Sequence, residues 1–268
     1  YRMRLAQSGD DRIAACRLRF RVFNIEMGEG LESSYQTGLD TDQFDDVCEH
    51  LIVEDKQEDN PGRRIVGTYR MQTGKTAARH HGYYSEQEFQ LGPYELLRPG
   101  VLELGRASID REHRTPEVLT LLWRGIAQYA TDMGLRYLIG CSSLTSKDPA
   151  EGWQLYRQLE QFRVPPEFET TPTSAYACPI EPQGADAQPS SSPMESDSAA
   201  GNPCEGLASR RIQVKVPKLL KTYLAIGARI AAPPAWDREF GTIDFLTLLD
   251  LKMISPAARS RFLAPLTQ

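Results

Sequence analysis

Glu103 and Arg106 stand in the run VLELGRASIDREHR (101–114), whose apolar residues and place ahead of a long helical pattern suggest a central strand. A buried strand should avoid such charge. Ionised groups are expensive to bury unless they are paired or used. A carboxylate partly withdrawn from water holds its proton more tightly and can act as a base near neutral pH, while a guanidinium fork binds carboxylates through two parallel hydrogen bonds. Gly105 lies between them, and a glycine inside a strand often marks a bulge or the close approach of a ligand. Without a bulge the two side chains would point to opposite faces of the sheet; with one, both could line a single cleft. The same residues also fit a structural ion pair at the end of a half-exposed strand.

Other chemistries have less support. The five cysteines, Cys16, Cys48, Cys141, Cys178 and Cys204, form no CxxC pair and suggest reduced thiols in a cytosolic protein. Cys141 ends a strand with no histidine motif beside it and reads as a buried thiol. The four histidines show no HxxxH or HExxH spacing, so no metal site is expected. A formal charge of −5 argues against a nucleic-acid partner. No run of 18 apolar residues and no secretory h-region is visible, which points to the cytoplasm, although a sequence beginning at Tyr1 leaves a trimmed leader open.

The elements that must position Glu103 and Arg106 read as α/β (α+β). A short strand at 1–5 is followed by a helix capped by Asp10 or Asp11 and running to about Phe23, with Ile13, Cys16, Phe20 and Phe23 on its apolar face. Its arginines, Arg12, Arg17, Arg19 and Arg21, mostly form a solvated face. Residues 28–46 lose periodicity and end in GLDTDQFDD, a candidate substrate loop. Two antiparallel strands are expected at 50–54 and 64–72, then a short helix after Ser85, the strand carrying Glu103, and a helix from Pro116 to about Met133. A strand at 136–141 and a helix at 149–162 follow. Residues 180–206 are rich in Pro, Ser, Ala, Gly and Asp and read as a flexible insertion between a core at 1–179 and a C-terminal part, 207–268, that completes the fold. That part holds a helix with a basic flank of Arg210, Arg211, Lys215, Lys218 and Lys221, a strand at 242–250 and a short helix at 256–262.

Four motifs occur in a fixed order: LRFRVFNIEMG with Arg19 and Phe23, GLDTDQFDD with Asp42 and Asp45, VGTYRM with Arg70, and ELGRASI with Glu103 and Arg106. The set resembles the acyl-homoserine lactone synthases and their relatives, the N-acyl amino acid synthases and ornithine lipid-forming N-acyltransferases, all of the GNAT-like superfamily. GYYSEQEF and PPAWDREFGTIDFLTLLDL, with Asp237, Phe240 and Asp244, look like the N-acyltransferase branch, often labelled hemolysin-like. The resemblance implies a GNAT-like mixed central sheet flanked by helices, with a C-terminal extension. It also implies transfer of a long-chain, including 3-hydroxy, fatty acyl group from a thioester to the α-amine of ornithine, glycine or a similar amino acid.

In that chemistry Glu103 is the expected base, directly or through water, and Arg106 and Arg70 hold Glu103 and the acceptor's carboxylate, or are structural. Asp42 and Asp45 bind the acceptor ammonium or pair with Arg19. Tyr156 stands where GNAT enzymes often have a tyrosine that protonates the leaving sulfur; a core aromatic fits its spacing as well. The segment REHRTPEVL has no glycine, and Pro116 removes a backbone donor, so a phosphate cradle for coenzyme A is missing. A carrier-protein phosphopantetheine thioester is then the expected donor, with acyl-CoA as the other choice and no tightly bound cofactor. Autoinducer synthases commonly have a tryptophan where this chain has Glu29, which disfavours an adenosylmethionine acceptor. Two other readings remain: an acyl-homoserine lactone synthase, and a non-catalytic protein held peripherally at the inner face of the membrane by its basic helix. The lysines and arginines of that helix could equally dock an acidic carrier protein.

Overall fold

The structure, a computed structural model, describes residues 1–179 and 214–262. The expected insertion at 180–206, and Arg210 and Arg211, lie outside the described residues. One sheet gathers eight strands: β1 (Arg2–Leu5), β2 (Glu49–Glu54), β3 (Ile65–Thr73), β4 (Val101–Ile109), β5 (Tyr137–Leu144), β6 (Arg229–Ile230), β7 (Ala235–Asp237) and β8 (Thr242–Asp250). Their order is β1-β2-β3-β4-β5-β8-β6, with β7 also paired to β8. All named pairs are antiparallel except β4 with β5. The helices are α1 (Gly9–Phe20), the short α2 (Ser34–Thr37), α3 (Pro61–Arg64) and α4 (Gly74–Arg79), then α5 (Pro116–Asp132), α6 (Pro149–Gln158), α7 (Lys218–Ile226) and α8 (Pro256–Phe262). No helix among the described residues is long and apolar enough to cross a membrane.

Strand alternation divides the core between the two faces of the sheet. Leu51, Val53, Tyr69, Met71 and Leu102 pack against Val118, Leu122, Trp123 and Ile126 of α5. Ile52, between Leu51 and Val53, turns the other way and meets Ala15, Leu18 and Val22. Further along that opposite face, Val101, Ile139, Leu246 and Leu248 bury Tyr83, Phe89 and Tyr94.

Several local expectations change. Ser8 rather than Asp10 or Asp11 caps α1, its side chain accepting from the Asp11 amide. The helical path continues past Phe23 as a π-helical stretch, Arg21–Met27, and Gly28 closes it at φ 68°. Ile13 is 42% exposed, because α1 buries Ala15, Cys16, Leu18 and Arg19 instead. Pro217 precedes α7, so the basic helix starts at Lys218 and leaves Lys215 ahead of it. The loop before β2 is not wholly irregular: α2 and a 3-10 turn, Gln43–Asp46, order it.

The feature that opens the molecule is the parting of β4 from β5. Their pairing runs over Val101 to Glu103 against Tyr137 to Ile139, yet β4 continues to Ile109 and β5 to Leu144. At the point of divergence a Cβ on Gly140 would overlap the Leu104 carbonyl. Gly140→Ala is therefore expected to destabilise the fold by about 1–3 kcal/mol, read by urea denaturation; an unchanged midpoint would show that the strands can separate freely there.

Candidate functional site

Glu103 and Arg106 reach one cavity because β4 is bulged. Thr68 lies opposite Ser108 and Arg70 opposite Gly105, so a two-residue step on β3 matches a three-residue step on β4. The strained residue is Arg106, at φ 52°, rather than Gly105. A non-glycine residue held there costs about 1–3 kcal/mol and signals a backbone constrained by its surroundings. The extra residue resets the alternation and brings Arg106 to the side where Arg70 and Asp42 lie.

Arg106 does not pair with Glu103, against one of the expectations above. Its Nη2 donates to Asp42 Oδ2 at 3.1 Å, and its Nε lies 3.5 Å from Asp40 Oδ2 without a hydrogen bond. Its guanidinium sits over the Tyr84 and Phe240 rings, 4.8 and 4.3 Å from their centroids. Glu103 is held by backbone and hydroxyl donors instead: Ser85 N and Oγ donate to Oε1 at 2.8 and 2.7 Å, and Tyr84 N to Oε2 at 2.8 Å. Burial pushes the Glu103 carboxyl up, and these three donors only partly counter it.

The acidic loop is the buttress of this arrangement. Arg19 is fully buried and donates to Asp40 at 2.8 Å and to both oxygens of Asp45, at 2.6 and 3.0 Å. Asp45 also accepts from the Asp42 amide and from Arg70, while Arg70 reaches Asp42 at 2.5 Å. Burial would raise the Asp42 carboxyl, but Arg70 and Arg106 outweigh it and hold it below the ordinary range. Asp45 is held low in the same way, against its burial, by Arg19 and Arg70. Of the two roles open to these acids, pairing with Arg19 describes Asp45, whereas Asp42 links Arg70 to Arg106.

A cavity of about 1210 Å³ runs through the gap between β4 and β5 and is lined from both faces of the sheet. Phe23, Arg70, Glu103 and Arg106 line it; Arg19, Asp42, Asp45 and Tyr156 do not. Tyr156 meets Trp153 edge to face and lies under Arg163, in a cluster around Leu155 and Phe245, so its proposed contact with a leaving sulfur has no support in its position. On the α5 face the walls are apolar, with Leu119, Trp123, Tyr223 and Leu249. Lys218 and Lys221, both exposed, border the cavity, and Lys215 is exposed nearby in sequence. At the start of α5, Thr115 caps the Val118 amide and Pro116 follows it.

Sequence reading missed Ser85, whose amide and hydroxyl hold the Glu103 carboxylate, and Glu88. Their signal was GYYSEQEF, which reads as a family motif with a short helix after Ser85 but was given no site residue; it forms a 3-10 turn, Tyr84–Gln87. It also missed that Glu88, Asp237 and Asp244 converge, with one oxygen of each within 4.8 Å of the others, a donor set that could hold a cation.

A family model described as an acetyltransferase (GNAT) domain matches residues 18–124. The chain is 32% identical over 260 residues to an L-ornithine N(alpha)-acyltransferase of Brucella abortus, covering 94% of this chain and 85% of that protein. It is 28% identical over 262 residues to the protein of the same description from Rhodobacter capsulatus, covering 97% of this chain and 93% of that protein. Among solved structures it is similar to FeeM, an N-acyl amino acid synthase from uncultured soil microbes, at 11% identity and a TM-score of 0.49, covering 98% of this chain and all of that one. The extent and level of the match to the Brucella protein show that this chain, an acyltransferase of GNAT fold, belongs to the L-ornithine N(alpha)-acyltransferase family.

Proposed function

We propose that the protein transfers a long-chain fatty acyl group, 3-hydroxy chains included, from a carrier-protein thioester to the α-amine of ornithine or a closely related amino acid. The product is an N-acyl amino acid that serves as an aminolipid precursor. The observation that carries this reading is the place of Glu103: a buried carboxylate on the cavity wall at the point where β4 and β5 part. The apolar walls on the α5 face suit an acyl chain, and the polar walls on the other face suit an amino acid.

The chemistry needs no covalent intermediate. The amine nitrogen attacks the thioester carbonyl, the C–N bond forms, and the C–S bond breaks. Glu103, through water, takes the proton the amine loses, and the same proton can return to the departing thiolate. Arg106, which lines the cavity beside Glu103, is the guanidinium we assign to the acceptor's carboxylate.

Thr115 and Pro116 leave the first turn of α5 poor in free amides, which supports a carrier protein over coenzyme A as the donor's handle. Lys215, Lys218 and Lys221 offer that acidic partner, or an anionic membrane surface at the cytoplasmic side, a basic rim. Lys218→Glu with Lys221→Glu should raise KM for the carrier-bound donor, more at low salt than at high, with little change in kcat. Equal KM values at both salt levels would remove the docking role.

The direct test incubates the purified protein with 3-hydroxyacyl carrier protein and ornithine and identifies the product by mass spectrometry. N-acylornithine is expected, formed faster than from the matched acyl-CoA. A lactone made from adenosylmethionine, or no acyl product from any amino acid, would overturn the reading.

A further inference from the structure

The transfer chemistry leaves one wall of the cavity unused. Glu88 follows the 3-10 turn Tyr84–Gln87, Asp237 ends β7 and Asp244 lies on β8. All three line the cavity, yet they are only 1%, 4% and 4% exposed. Among the described residues none of them forms an ion pair with an arginine, lysine or histidine within 4 Å. Glu88 Oε2 and Asp244 Oδ1 are buried without a hydrogen-bond partner. Arg106 exerts some attraction on Glu88, but its side chain is committed to Asp42 and lies beside Asp40.

Three buried carboxylates without a counter-charge repel one another, and a cation entering from the cavity would relieve them. Burial, then Asp244 and Asp237, push the Glu88 carboxyl well up, and a cation among the three would favour its ionised form. The position narrows the choice. The Glu88 amide donates to the Ser85 carbonyl at 3.2 Å, and Ser85 holds Glu103, so base and acidic wall hang on one turn. An acceptor with its α-amine at Glu103 would extend its own side chain along this wall. A primary ammonium carries three donors, one for each carboxylate. A hard divalent ion asks for six to eight oxygens, about the range for calcium, whereas Asp237 Oδ1 is already taken by the Glu239 and Phe240 amides.

We infer that Glu88, Asp237 and Asp244 form a subsite for the side-chain ammonium of a diamino acid acceptor, selecting it over neutral amino acids of the same length. The inference rests on the acyl-transfer reading above and specifies its acceptor. The test compares kcat/KM for ornithine and for norvaline, which has the same carbon chain without the second amine, in the wild type, Asp244→Asn and Glu88→Gln. Wild type should favour ornithine by at least about 100-fold, since a site built around a polar group rejects the analogue lacking it. Each variant should bring the ratio to within about threefold of one, mainly through the KM for ornithine. Should Asp244→Asn fail to fold by circular dichroism, Glu88→Gln carries the comparison.

A wild-type ratio near one sinks the subsite while leaving acyl transfer in place, and a ratio that survives both substitutions does the same. Titration with MnCl2 gives a further check: tight binding that Asp244→Asn abolishes, with transfer lost in EDTA, would make this a metal site and overturn the inference. A wild type that acylates neither amino acid removes both the subsite and the function it rests on.

Discussion

Glu103→Gln is expected to lower kcat by about 10²- to 10⁴-fold, the usual worth of a positioned general base. The protein should stay folded but lose about 1–3 kcal/mol of stability, because the glutamine amide would turn an N–H group toward a donor of Tyr84 or Ser85. The pH profile separates a base from a merely structural carboxylate. Burial raises the Glu103 pKa, so the ionised, base-competent form is lost as pH falls through a value above the ordinary carboxylate range. Wild-type kcat/KM should therefore rise with pH through that pKa and then level off, and the glutamine variant should lack this limb. Near-wild-type turnover in a folded Glu103→Gln protein would take the base role away from this residue.

Arg19→Ala should have the largest effect on stability, about 3–5 kcal/mol. Its side chain is wholly buried and donates to Asp40 Oδ2 and to both oxygens of Asp45. Removing it takes the only hydrogen bond from the Asp40 carboxylate among the described side chains and the shortest cationic contact from Asp45, both buried, against a total folding free energy of about 5–15 kcal/mol for a typical domain. The loss would spread to the site, since Asp45 also steadies Arg70 and, through Asp42, Arg106. Urea denaturation measures it; a midpoint shift worth less than about 1 kcal/mol would show that the network relaxes around the gap.

The sheet was legible where periodicity is strong. Residues 242–250 and the helix from Pro116 announced themselves by apolar pattern and by Pro and Gly at their limits. β6 and β7, of two and three residues, are too short to show a period, and they owe their existence to the edge that β8 offers them. Charge at Glu103 and Arg106 marked the site because it violated the core pattern, and Gly105 rightly suggested a bulge. Which residue would carry the strain was not readable, since φ 52° at Arg106 follows from its ties to Asp42 and the Tyr84 and Phe240 rings, all distant in sequence. Tyr156 shows the opposite limit: the resemblance suggested a role at the leaving sulfur and the helical spacing a core aromatic, and it lies outside the cavity against Trp153 and Arg163. The acidic wall was hidden for a similar reason, its members being supplied by three segments.

The position of β8 carries a consequence for how the protein is made. β5 pairs with β8 along its full length, Tyr137–Leu144 against Asp250 to Ile243, more than 90 residues later in the chain. During synthesis, every residue up to 241 can emerge while β5 still has an unsatisfied edge, a template for pairing with a neighbouring chain. Such distant closure is slow, and it makes the nascent protein a natural client for chaperones. Since Asp244 lies on that last strand and Asp237 on β7, which pairs with it, the half-made sheet would carry Glu103 well before the acidic wall is complete.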